Sequence, residues 1–345
     1  MKQKRRYWPA VGLFFLAPLV AEFLLGNLPV TMLFALFALA PLYGGGAVVI
    51  REVARRRGWG YPSIMLLALA FGVLEEGVTT QSLFNPNYAD LRLLDPGHIS
   101  ALGMGAPWTV FVLSIHTLWS ITVPIVLVEW VSRRPREPWL GTKGFVVFCV
   151  LFAFGIFATT TFQLQSDSFV ASAGQFIGVG IALVVLIALA VRVGRREPVH
   201  EPGSALSVWL VGAAGLAGTS LYLVVDDLDL NGWLQAVLLL ALIAVATLVV
   251  LRWSRREGWT RLHTLALAGG ALLTYAWHAF PEKSLGGGSK AVDLAGNAVF
   301  AVLAVALLVI AWRRTAVAVV TPATETAVGD GMADATITRD KFGDS

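Results

Sequence analysis

One cysteine, 22 acidic residues and a charged fraction of only 14% are the main shortages of this 345-residue chain. Cys149 is alone and lies in an apolar run, which excludes a disulfide-stapled secreted scaffold. Soluble domains carry about 25% charged residues. With 57% hydrophobic residues and a mean hydropathy of +0.72, this alphabet cannot build a water-facing surface. Ten-residue segments of alternating polarity are also missing, which excludes a membrane β-barrel. The net charge of +4 is small, and nothing in it points to nucleic acid.

What the chain does have is apolar length. Stretches of about 20 apolar residues match a hydrocarbon core about 30 Å thick. Ten occur, over roughly 8–26, 29–50, 61–83, 108–131, 144–162, 172–193, 205–225, 233–252, 262–280 and 293–312. Inside lipid the backbone must satisfy its own hydrogen bonds, so these are helices. The expected fold is an all-α polytopic membrane protein of about ten transmembrane helices, with residues 1–314 forming a single domain. Residues 315–345, without periodicity, are expected to be a disordered cytoplasmic tail. Lys2, Lys4, Arg5 and Arg6 precede the first run, but no small-residue cleavage site follows, so it reads as a retained anchor.

Basic residues set the expected orientation. Of the 26 Lys and Arg residues, 21 cluster at alternate span ends, as in Arg51, Arg55, Arg56 and Arg57, leaving only Arg92, Lys283 and Lys290 for the other side. This predicts a multi-pass protein of the plasma membrane with both termini inside. Nine of the twelve tryptophans fall near span ends, as an interfacial belt requires. Trp119, Trp209 and Trp277 are interior and are expected to pack against neighbouring helices. Most connections are short. The exception is the outer loop from Asn85 to Pro107, whose turn-forming strings fit a lid, a re-entrant segment or a plain spacer. Tyr43-Gly44-Gly45-Gly46 fits a close helix approach or a break, with close packing the leading expectation.

An acid at the middle of a membrane helix costs about 2.5–3.5 kcal/mol on insertion scales, so each one demands an account. Counted along the helix rise, Glu22, Glu75, Glu76, His116 and His278 all fall in the outer half of the bilayer. Asn297, Asp226 and Asp227 lie just above. We read an outward-opening polar chamber lined by Glu22, Thr79, Thr80, Ser120, His278 and Asn297 around Glu75, Glu76 and His116. Neighbouring helix residues lie about 100° apart, so Glu75 and Glu76 are expected to point differently, one working while the other braces. His116 and Ser120 share a face one turn apart. Glu129, beside Arg133, is expected to be a snorkelling ion-pair partner near the inner face.

Three chemistries fit this set: a general base acting on water, a carrier for protons or a cationic solute, and a metal held by His116, His278 and a carboxylate. No HExxH or comparable spacing supports the last, and neither metal nor cofactor is expected. The plain alternative is buried polar pairing that fixes helix packing.

Gly72-Val73-Leu74-Glu75-Glu76-Gly77, followed by a membrane histidine forty residues after Glu76, resembles the CAAX prenyl protease and bacteriocin-immunity family. That family carries Glu-Glu-x-x-x-Arg, Phe-x-x-x-His and His-x-x-x-Asn. Here Thr80 stands at the Arg position, Val112 at the Phe position, and the third motif is missing. The resemblance covers about residues 60–131 and implies an intramembrane hydrolase in which Glu75 or Glu76 and His116 activate a water against a peptide bond. The leading expectation is thus a protease-like hydrolase. The alternatives are a transporter for a small polar or proton-coupled solute, and a non-catalytic scaffold or immunity factor. Expected partners are the lipid bilayer and a membrane peptide or small polar solute.

Overall fold

The computed structural model describes residues 7–132, 135–197, 199, 201–285, 287 and 289–320. Each expected apolar stretch is a helical rod. The first is α1 (Trp8–Pro18), which continues as a π-helical turn, Leu19–Leu24. Next come α2 (Leu36–Arg56), and α3 (Tyr61–Leu74) with a π turn over Glu75–Thr79. The fourth rod is composite: α4 (Ala106–Ile115), a π segment His116–Thr122, and α5 (Val123–Val131). Then follow α6 (Thr142–Ser166), α7 (Ala173–Gly194), α8 (Val208–Asp227), α9 (Gly232–Ser254), α10 (Arg261–His278) and α11 (Lys290–Val320). Eight of the rods are long and apolar enough to cross a membrane; α1 with its π turn is shorter, and α10 does not meet that measure. α11 runs past the expected tail boundary to Val320, and residues 321–345 lie outside the described residues.

Local chemistry explains where rods begin and bend. Pro9, Pro62 and Pro107 sit in first turns, where a missing N–H costs nothing. Ser172 and Gln175 form a capping box on α7, and Asn231 accepts from the first amides of α9. Pro18 cannot donate to the helix ladder, and the π turn of the first rod begins at the next residue.

Packing divides the rods into an inner and an outer set. α10 packs along α8, α2 along α6, α3 along α7 and α1 along α2. One core joins α1, α2, α3, α5 and α6 through Leu13, Leu42, Ile64, Ile125 and Phe148. A second joins the fourth rod to α8, α10 and α11, where Trp119 stacks on Tyr275 at 4.5 Å. The outer helices α6, α7, α8, α9 and α11 present Phe157, Val184, Trp209, Leu248 and Val302 outward, as a lipid-facing surface does. Trp209 packs on the neighbouring helix as expected, stacked on Trp312 of α11, but does so at the surface, 75% exposed. As the sequence predicts, Gly44 is a contact point, since a Cβ there would collide with the Phe14 carbonyl of α1.

The loop from Asn85 to Pro107 is a folded cap rather than a loose spacer. It holds a short helical turn (Tyr88–Asp90), a two-residue hairpin pairing His98–Ile99 with Met104–Gly105, and a buried Leu94. Gly97 (φ +56°) packs against Gly232 of α9 so closely that neither tolerates a side chain.

At the end carrying the basic clusters, Glu129 departs from the snorkelling expectation. It is fully buried. Arg55 grips it through Nε–Oε1 and Nη2–Oε2 contacts of 2.7 Å each, Arg51 adds 3.0 Å, and the Tyr61 hydroxyl donates at 2.8 Å. Arg51 also pairs with Glu52 and lies 3.5 Å over the Trp139 ring. Arg133 lies outside the described residues. Arg51 and Arg55 are thus a buried clamp between α2 and α5, because a membrane-buried acid is tolerated only when fully paired.

Candidate active site

Three rods change from α to π geometry at the residues the sequence marks as costly. Glu22 lies in the π turn after α1, Glu75 and Glu76 open the one after α3, and His116 opens the one inside the fourth rod. Such single-turn widenings recur at functional sites, because they displace side chains from the regular helical stripe. Here they converge. Nε2 of His116 lies 2.6 Å from Glu76 Oε1 and 2.8 Å from Glu75 Oε2. The two acids do not point apart as a regular helix predicts: both reach one imidazole.

Each of the three side chains is anchored through its other atoms. The Tyr43 hydroxyl shares its proton between Glu22 Oε1 at 2.6 Å and Glu75 Oε1 at 3.1 Å. Thr80 donates to Glu76 Oε2 at 3.0 Å, and Ser82 donates to the same oxygen. Ser120 Oγ lies 3.2 Å from His116 Nδ1. Asn27 holds the second oxygen of Glu22 at 2.9 Å. Glu75 Oε2 faces Nε2 but has no hydrogen-bond donor, since the ring's interaction is directed at Glu76. Glu75, Glu76 and His116 are 3%, 5% and 4% exposed, so water does not screen the group.

Packing lets the rods come this close. A side chain at Gly72 would press on His116 Cβ, and one at Gly46 on the ring of Phe71. Phe71 in turn lies against both Tyr43 and His116. Gln81 adopts a left-handed backbone (φ 56°), which ends the helical course of the chain, and Ser82 beyond it faces Glu76.

Trp108 donates to Ser82 at 3.2 Å and also lines a cavity of about 340 Å³ with Leu91, Arg92, Phe111, Asp226 and Gln235. Burial pushes the hydroxyl of Tyr88 well above the ordinary phenol range, and the charges of Glu76, Glu75 and Glu22 push it the same way.

Not every expected chamber residue joins. Glu22, Thr80 and Ser120 do. Thr79 instead bonds back to the Glu75 carbonyl within its own turn. His278 sits apart, with Asp227 at 2.9 Å and Glu282 at 3.4 Å. Asn297 donates to the Ala279 carbonyl at 2.6 Å and closes the end of α10. Both are packing groups by their contacts, because shared depth does not bring helices together. Tyr43 is the site residue the sequence reading missed. A tyrosine beside three glycines marks a hydroxyl held where two helices nearly touch, and that was the available signal.

The fold and its buried polar centre define a polytopic helical membrane protein. A family model described as an uncharacterized membrane protein family matches residues 12–338, and the chain belongs to that family. No match to the prenyl protease and immunity family accompanies it. Neither the curated proteins nor the solved structures give a match.

Proposed function

We propose that Glu75, Glu76 and His116 form an intramembrane hydrolytic centre acting on a membrane peptide. The observation that carries this reading is the imidazole held between two buried carboxylates, 2.6 and 2.8 Å away, on two π turns. A water beside Glu75 Oε2 would meet the one site oxygen with no donor of its own. Glu75 takes a proton from the water as its oxygen attacks the carbonyl carbon. A protonated His116, oriented by Glu76 and Ser120, gives its proton to the departing nitrogen as the C–N bond breaks, and the proton on Glu75 passes to His116 across their 2.8 Å contact, restoring both groups. Low dielectric strengthens each of these charge interactions. The cap and the cavity beside Trp108 provide a place for a chain to enter from the outer face, which the basic-residue distribution assigns to this end of the bundle.

The test is cleavage of a panel of quenched membrane-embedded peptides by the purified protein in liposomes. The reading expects hydrolysis that falls at least about 100-fold in Glu75→Gln, Glu76→Gln and His116→Ala, the scale of removing a general acid or base. Hydrolysis unchanged in all three variants, or none by the wild-type protein across the panel, refutes it.

A second reading, a proton-coupled carrier, is favoured by one observation. The contacts Asn27–Glu22–Tyr43–Glu75–His116–Glu76–Ser82–Trp108 form a continuous polar chain across four rods. That reading expects pH-driven solute flux in the same liposomes, lost in Tyr43→Phe.

A further inference from the structure

We infer that the cavity beside Trp108 receives a basic side chain, lysine or arginine, of a membrane peptide, with Asp226 as the partner of its charge. The inference rests on the reading of Glu75, Glu76 and His116 as a peptide-cleaving centre and names a feature of the substrate. The cavity of about 340 Å³ falls within the range of binding pockets, which begins near about 300 Å³. Its wall is mostly apolar. Leu91 of the cap contributes, as do Pro107, Trp108 and Phe111 of α4, with the two rings 6.0 Å apart and inclined at 39°. Asp226, in the last turn of α8, and Gln235, in the first turn of α9, supply polar groups.

The charges of this wall are unbalanced. Gln235 Nε2 donates to the Asp226 carbonyl at 2.7 Å and reaches Oδ1 only at 3.4 Å. That longer contact is the only hydrogen bond to the Asp226 side chain among the described residues, so Oδ2 has no donor. The charged groups acting on Asp226 are Asp227 and Glu282, both acids. Arg92, the base in the wall, is already committed: its Nε and Nη2 bond both oxygens of Asp95, at 2.9 and 3.1 Å. An acid without a base, sharing a cavity with two aromatic rings, is complementary to an organic cation on an apolar stem. The carboxylate pairs with the head, the ring faces attract it, and the stem covers Leu91 and Phe111.

The cavity is preformed and joined to the reactive group. Gly97 of the cap packs directly on Gly232 of α9, and the Tyr222 hydroxyl donates to the Val110 carbonyl at 3.3 Å, tying α8 to α4. The Trp108 ring that would meet the basic stem donates to Ser82, which holds Glu76. A basic residue seated there would fix which bond of the chain is presented to the acids. The ammonium of an ethanolamine lipid headgroup has the same chemistry. A peptide is favoured because Arg92, the wall group that would take the lipid phosphate, is held by Asp95.

The test titrates full-length protein in detergent against fluorescent membrane-spanning peptides and reads binding by anisotropy. Three peptides are identical except at one residue near one end of the span: lysine, norleucine or glutamate. The lysine peptide is expected to bind about 10-fold more tightly than the norleucine peptide, and the glutamate peptide most weakly. Asp226→Asn should bring the lysine peptide down to the norleucine affinity, and Asp226→Lys should make glutamate the preferred residue. Asp229→Asn, an exposed acid that does not line the cavity, should leave the preference intact. If the Asp226 variants fail to fold, the peptide series on the wild type decides. Equal binding of the three peptides, a lysine preference that survives in folded Asp226→Asn, or one lost equally in Asp229→Asn would each overturn the proposal. Loss of the preference on adding phosphatidylethanolamine to the micelles would assign the cavity to a lipid headgroup and overturn it too. A lysine preference in binding without cleavage of any peptide keeps the cavity assignment and removes the hydrolytic reading. Cleavage indifferent to the three residues keeps that reading and overturns this one.

Discussion

The hydroxyl of Tyr43 stands 2.6 Å from Glu22, so that α2 binds the π turn of the first rod through a single proton. The same hydroxyl reaches Glu75 at 3.1 Å. One phenol therefore ties a carboxylate on the first rod to the acid pair on the third, and the site spans four rods rather than two.

Tyr43→Phe tests that tie. It removes one donor from Glu22 and leaves Asn27 as its remaining side-chain partner. Hydrogen bonds to charged groups contribute about 1.5–3 kcal/mol, and a loss of that size is expected in unfolding measurements in detergent. Combined with Glu22→Gln, the loss should be smaller than the sum of the two single losses, since both remove one interaction. Strictly additive losses would show that the pair is uncoupled.

Glu129→Ala is expected to be the more damaging change, although it lies outside the site. It leaves the Arg55 guanidinium and part of Arg51 buried without their shared acid. Breaking a buried ion pair from one side costs about 3–5 kcal/mol. The expected outcome is a large fall in the yield of folded, monodisperse protein. A variant as stable as the wild type would mean the clamp is solvated.

Gly44→Ala should separate α1 from α2, because its Cβ would collide with the Phe14 carbonyl, a backbone atom with little freedom to yield. Overpacking costs about 1–3 kcal/mol. The accompanying shift of Glu22 away from Tyr43 is expected to lower any activity of the site as well. Gly12→Ala, which meets nothing within 4 Å, is the matched control on the same pair of helices. Equal behaviour of the two variants would contradict the packing argument.

Much of this architecture is legible in the residues. Apolar runs of spanning length give every rod, and Glu75, Glu76, His116 and Ser120 are recognisable because each is costly in lipid. What is not legible is azimuth. A regular helix turns Glu75 and Glu76 about 100° apart. The π turn starting at Glu75 and the left-handed Gln81 change where the following side chains point, and no residue pattern announces either. The same limit misplaces His278 and Asn297, which share the depth of the site but face other partners. Glu129 shows a related limit: it is an ion-pair partner as expected, but nearness in sequence does not point to Arg55, 74 residues away.

Outside the spans, Glu282 gives a pH prediction. Burial holds its carboxyl above the usual range and Asp227 adds to this, while the His278 imidazole pulls it down. A raised folded value means the protonated form is favoured by folding. Its stabilising contribution is full below the ordinary glutamate value of about 4.3 and is lost as pH rises through the folded value. Glu282→Gln should therefore flatten the stability profile above that range and make the protein more stable at neutral pH. Thermal unfolding followed against pH checks this, and parallel curves for the two proteins would contradict it.

The convergence of two carboxylates on one imidazole is most directly tested by nitrogen NMR of 15N-histidine-labelled protein in lipid nanodiscs. The chain has five histidines, and the His116 signals are those lost in His116→Gln. Glu75→Gln and Glu76→Gln are expected to each move those signals, while Asp227→Asn moves only those of His278. His116 signals that ignore both glutamate substitutions would place the acids elsewhere and end the account of the site.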